Sequence, residues 1–93
     1  METTEEKVRR YLQITEEALR KVEIAVPENS KLRKIAEDFL DVASRYLSDA
    51  KWFAERGDYP TALAAVAYAH AWIDAGVRMG ILKGEGNRLF MQG

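Results

Sequence analysis

The chain has 93 residues, no cysteine, and a formal net charge of -1 from 14 Lys and Arg against 15 Asp and Glu. That length holds one domain with a real core, yet a domain so small leaves much of its surface wet unless a partner covers it. The near balance of charge disfavours binding to a nucleic-acid backbone, and the lack of cysteine excludes disulfides, thiolate metal sites and thiol nucleophiles.

The opening METTEEKVRR is charged and has no apolar stretch. It is unlike a secretory signal, and the expectation is a cytoplasmic protein. Thr3 and Glu6 form a T-x-x-E capping box, after which Val8, Leu12, Thr15, Leu19, Val22 and Val26 recur at spacings of three and four. This is a first amphipathic helix, expected to stop near Pro27, with PENS as the connector and Asn29 or Ser30 as the next cap. Leu32, Ile35, Phe39, Val42, Tyr46, Ala50 and Phe53 then trace the apolar stripe of a second, long helix, which ends near Arg56. Lys34/Asp38, Asp41/Arg45 and Lys51/Glu55 are i,i+4 pairs on its polar side.

Gly57 supplies the left-handed residue that ends this helix, Asp58 caps the next one, and Pro60 falls in a first turn that needs no N–H from it. A third helix is expected to run to about Leu82. No alternating β-branched run competes, so the predicted fold is all-α: an up-down-up antiparallel three-helix bundle with long helices. Residues 1–82 form the single domain, and residues 83–93 are expected to be a flexible tail.

Two resemblances sit on these same residues. The pattern Ala50-x-x-Phe53-x-x-x-Gly57-Asp58-Tyr59-x-x-Ala62-Leu63, with Ala69 beyond it, resembles one helix pair of a tetratricopeptide repeat. Such proteins stack several 34-residue units, so the resemblance implies local hairpin packing only. KVRRYLQITEEAL followed by KIAEDFLDVASRYLSDAKWFAERGDYPTALAAVAYAHAWIDAGVRMG is similar to the short archaeal family catalogued as domain of unknown function 357. That likeness implies a small helical fold and an archaeal source, and it carries no catalytic residue to transfer. Helical domains that cleave RNA with a closely spaced Arg and His share a similar turn, but here no Arg lies between Arg56 and Arg78. The nuclease reading falls with that motif.

Between Pro60 and Leu82 the only formal charges are Asp74 and Arg78. Leu63, Val66, Ile73 and Val77 form one apolar face, Ala62, Ala65, Ala69, Gly76 and Gly80 a small-residue stripe, and Tyr68, Trp72 and Met79 lie further round. On one reading, long side chains from the other two helices, the stems of Lys and Arg included, cover this apolar excess. The sharper expectation is an interface: Ala65, Tyr68, Ala69, Trp72, Gly76 and Met79 as the contact with a second copy or another helical protein. A membrane span is excluded by Asp74 and Arg78, since each such charge near a bilayer centre costs about 3 kcal/mol on insertion scales.

Candidate chemistry is sparse. His70 and Asp74 share a helix face four residues apart, two ligands where a metal site needs at least a third, for example Asp41 or Asp49. The pair reads instead as a boundary histidine bonded to Asp74, with Arg78 extending a surface ion-pair row, and no cofactor or metal is expected. Glu37, Asp38 and Asp41 lack the Glu-x-x-His motifs of helical carboxylate-metal sites and read as a solvated face. Trp52, Tyr59, Tyr68 and Trp72 offer an alternative: a pocket near the hairpin for a small planar molecule, with Arg45 and Asp49 as its polar groups. Leu89, Phe90 and Met91 supply apolar side chains in the tail. The resulting reading is a non-enzymatic interaction or self-association module built on the third helix, with the ligand-binding domain as the alternative.

Overall fold

The computed structural model describes residues 1–84. α1 (Thr4–Lys21) opens on a complete capping box: Thr3 Oγ1 accepts from the Glu6 N–H at 3.1 Å, and the Glu6 carboxylate accepts from the Thr3 N–H at 2.9 Å. The reciprocal pair satisfies backbone amides that the helix itself leaves open. α1 ends at Lys21, six residues before Pro27, because Val22 is extended and its N–H closes the last turn on the Ala18 carbonyl. Residues 22–26, VEIAV, alternate half-buried Val22, Ile24 and Val26 with exposed Glu23 and Ala25. β1 (Glu23–Ile24) pairs antiparallel with β2 (Leu82–Lys83), Glu23 opposite Lys83 and Ile24 opposite Leu82, and Ala25 N–H extends the ladder to the Ile81 carbonyl. The expectation of no competing strand is corrected here: three β-branched residues at period two pack on a pleated surface better than on a helix.

α2 (Leu32–Glu55) follows the connector, with Ser30 Oγ accepting from the Leu32 N–H at 3.1 Å. α3 (Tyr59–Met79) begins after Asp58, whose Oδ1 accepts from the Thr61 N–H, and carries Pro60 in its first turn. Gly57 and Gly80 both sit at φ 79°, and each closes a six-to-one and a five-to-two bond over the preceding helix end. Asp58 and Gly57 donate to Phe53 and Ala54, Ile81 and Gly80 to Gly76 and Val77. This left-handed cap stops α3 at Met79, earlier than the expected Leu82. Lys83, placed in the tail by sequence, belongs to β2, while residues 85–93 lie outside the described residues.

The architecture is the expected up-down-up bundle, with α3 packed on both other helices and α1 touching α2 least. Its core divides into three layers along the long axis. Leu47, Ala50, Val66 and Ala69 fill the hairpin end with Tyr11 and Leu12 against them. Ala18, Ala43 and Ile73 fill the middle, and Ala36, Ile81 and Leu82 the ribbon end beneath Val22, Ile24 and Val26. Two helices and the chain after Gly80 cover the inward side of α3, which accounts for part of its poverty in charge, while Tyr68, Val77 and Met79 stay exposed on the other side. No helix among the described residues is long and apolar enough to cross a membrane.

One expectation about α2 changes in a way that matters for function. Its buried line is Ala36, Ala43, Leu47 and Ala50, whereas Leu32, Ile35 and Tyr46 are exposed and Phe39, Val42 and Phe53 only half-buried. Alanine lets the helices approach closely, so the larger side chains beside that line, Phe39, Val42, Tyr46 and Phe53, are left along the seam with α3. Of the expected ion pairs on α2, Asp41–Arg45 forms at 2.8 Å, while Lys51 turns across to Glu16 on α1.

Candidate functional site

The α2–α3 hairpin has two faces, and α1 covers one of them. On the other, Tyr46 and Tyr68 meet edge to face, their ring centroids 4.6 Å apart. Tyr68 continues to Trp72 at 6.0 Å, and Trp72 to Phe39 at 4.8 Å, again edge to face. The register follows from the turn, since Tyr46 and Tyr68 each stand eleven residues from Gly57. Edge-to-face pairs favour the aromatic quadrupole and are worth about 0.5–1.5 kcal/mol each beyond burial. The row thus fastens α2 to α3 while leaving Tyr46 39% and Tyr68 47% exposed.

Two open grooves flank the tyrosine pair. On the hairpin side a groove of about 460 Å³ is lined by Tyr46, Asp49, Phe53, Thr61, Ala64, Ala65 and Tyr68. On the ribbon side one of about 420 Å³ is lined by Val42, Arg45, Tyr46, Asp49, Tyr68 and Trp72. Asp49 borders both, and among the described residues no cation lies within ion-pair distance of its carboxylate.

Of the interface residues expected from sequence, the structure brings Ala65, Tyr68 and Trp72 to this face, and Met79, 58% exposed, stands seven residues beyond Trp72 at the end of α3, outside both grooves. Ala69 and Gly76 face inward, so the small-residue stripe serves contacts within the chain. Ala69 packs with Leu47, Ala50 and Val66, and Gly76 lies directly under the Leu82 side chain, where a Cβ would come within 2.7 Å of Leu82 Cγ. The expected aromatic quartet does not converge. Trp52 meets Phe53 edge to face and lies beneath the Arg56 guanidinium, 3.5 Å from its ring centre, and Tyr59 lies beside Arg9 of α1. Tyr46 and Phe39 take their places next to Tyr68 and Trp72, with Arg45 and Asp49 as the polar lining.

His70 is not a boundary histidine. It is fully buried between α3 and α1, its Nδ1 hydrogen-bonded to Thr15 Oγ1 at 2.9 Å and its Nε2 3.6 Å from Asp74 Oδ1. Hydroxyl, imidazole and carboxylate stand in the order of a nucleophile, base and orienting acid. Thr15 and His70 are both 0% exposed, so no substrate reaches the hydroxyl. The arrangement ties α1 to α3 and leaves no buried side-chain polar atom without a partner among the described residues. Burial pushes the Asp74 carboxyl above its ordinary 3.8, against the opposing pull of His70 and exposed Arg78. Asp41 and Asp49 lie on exposed parts of α2, away from the buried imidazole, and among the described residues no three acidic or histidine side chains form a metal-sized cluster. Thr15 was visible in sequence as the one polar member of the first apolar stripe; a buried partner for it was the missing inference.

No curated protein shows significant similarity to the chain. The crystal structure of protein AF1782 from Archaeoglobus fulgidus, assigned to DUF357, superposes with a TM-score of 0.71 at 26% sequence identity, covering 87% of this chain and 92% of that one. Residues 10–82 match the family described as protein of unknown function, DUF357. That span takes in α1 from its second turn, both strands' pairing partners through Leu82, and every residue of the aromatic face. The chain belongs to the archaeal-type DUF357 family.

Proposed function

We propose that the chain is a non-enzymatic protein-interaction module of the cytoplasm and that its contact surface is the outer α2–α3 face centred on Tyr46 and Tyr68. The observation that carries this reading is the spacing of half-exposed side chains on that face. Ile35, Phe39, Val42, Tyr46, Asp49 and Phe53 recur every three or four residues along α2, opposite Met79, Trp72, Tyr68 and Ala65 on α3. A heptad-like row on each of two neighbouring helices forms the kind of groove in which a further helix docks. Aromatic and Met side chains are also those enriched at interface cores.

Native mass spectrometry of the protein isolated gently from its own cells tests this. Expected is an assembly heavier than the 10.6 kDa chain that Tyr68→Glu dissolves without loss of helicity by circular dichroism. A bare chain, or an assembly indifferent to the substitution, overturns the reading. The two grooves favour a second reading, a small planar ligand, because their volumes lie within the range of ligand sites. That reading requires a mass increment of a few hundred daltons at most, far below that of another chain.

A further inference from the structure

Resting on the interaction reading above, we infer that the occupant of the α2–α3 face is a second copy of this chain, docked face to face about a two-fold axis that crosses both helices at the level of the Tyr46–Tyr68 pair. Such an axis lies in the plane of the face, so each α2 runs antiparallel to the α2 of the other copy and each α3 to its own equivalent. The contact is then isologous, and the face must complement itself. It does so in both charge and shape.

In charge, Arg45 and Asp49 stand one turn apart on α2 and both line the ribbon-side groove, Asp49 alone of the two reaching the hairpin-side groove as well. An antiparallel two-fold between them sets Arg45 of each copy opposite Asp49 of the other, twice by symmetry. Among the described residues the Asp49 carboxylate has no cation within ion-pair distance, and the Arg45 side chain, 70% exposed, has Asp41 as its ion-pair partner. Surface pairs of that kind contribute little, so Arg45 is free to bridge.

In shape, bulk and hollow are also exchanged by the axis. On the ribbon side of the tyrosine pair stands the Trp72 indole; on the hairpin side the floor is Thr61, Ala64 and Ala65. A half-turn sets the Trp72 ring of each copy over the alanine floor of the other. The area is of the right order: α2 is about 36 Å long at 1.5 Å per residue and two helices are about 20 Å wide, a footprint of at most about 700 Å² per copy. A standard stable interface uses about 800 Å² per partner.

Sedimentation equilibrium of the purified full chain, read with reciprocal charge variants, tests the proposal. The wild type is expected at twice the 10.6 kDa chain mass. Arg45→Asp and Asp49→Arg are each expected to raise the dimer dissociation constant about a hundredfold, since each sets two like-charged pairs face to face. Arg45→Asp with Asp49→Arg in one chain is expected to restore association to within about tenfold of wild type, because the same pairs re-form with signs exchanged. Circular dichroism checks that each variant folds, and the wild-type mass decides the matter independently of them. A wild type that stays monomeric at 100 µM, in the order of concentration where weak complexes form, overturns the second copy as occupant. If the protein from its own cells is meanwhile in an assembly that Tyr68→Glu dissolves, the interaction reading stands and the occupant is a different chain. A dimer indifferent to both single swaps overturns this face as the site of self-association.

Discussion

At the scale of single residues, the buried polar trio behaves as structure and leaves a measurable trace in the pH dependence of stability. His70 finds Thr15 across the α1–α3 contact, and Asp74 sits at the rim, its side chain 14% exposed. Burial raises the Asp74 pKa in the folded chain above its ordinary 3.8, so the folded state holds that proton more tightly than the unfolded one. Protonation of Asp74 therefore favours folding, and its contribution falls as pH rises from about the ordinary value through the raised one. Relative to its protonated form, ionised Asp74 weakens the fold. Asp74→Asn is expected to be more stable than wild type at pH 7 and to lose that advantage as the pH is lowered to about 3.8. Urea midpoints of both proteins between pH 3.5 and 7, a span set about the carboxyl range, check this. An Asn variant less stable at pH 7 would mean that the pairing with His70 and Arg78 outweighs burial.

At the scale of elements, the two-residue ribbon works as a clamp on the end of α3. Leu82 is 2% exposed and lies on the backbone of Gly76, so the helix can approach β2 only without a Cβ there. Gly76→Ala should gain about 1 kcal/mol of helix propensity but lose about 1–3 kcal/mol to overpacking against Leu82. The net loss should reverse to a gain in a Leu82→Ala background, and a double-mutant cycle of unfolding free energies measures it. Additive costs would show that Leu82 is not what Gly76 accommodates. The clamp was also the least legible part of the sequence. Caps at Thr3, Gly57 and Asp58 are local rules and could be read directly, whereas Glu23 meets Lys83 only after the bundle has formed. The candidate face was half legible for a related reason. Periodicity finds the stripes of a helix, but choosing which stripe faces inward by side-chain size favours Tyr46 and Phe39 over Ala36 and Ala43, and close alanine packing inverts that choice, leaving Ala50 as the member of the expected stripe that is fully buried. Tyr68 and Trp72 were found because no charge separates them from the rest of the third helix. Their partners on α2 required the antiparallel register.

At the scale of the whole molecule, 45 × 26 × 17 Å, α3 is the element on which the others depend. It is packed against α2, α1 and β2, whereas α1 has its main contact with α3 and little with α2. Local opening costs least where few contacts must be broken, so protection from amide exchange should follow this order. The amides from Val66 to Ile73, within the hairpin-end and middle core layers, are expected to exchange slowest, by unfolding of the whole chain. Those in the first turns of α1 should exchange fastest among the helices, since the exposed Glu5–Arg9 and Glu2–Arg10 pairs there add little. Hydrogen exchange read by mass spectrometry gives the order directly. If α1 proved as protected as α3, its docking would be cooperative with the hairpin rather than secondary to it. With α1 displaced more easily than α2, the hairpin is the durable unit, and its uncovered aromatic face is carried by the two helices least prone to separate.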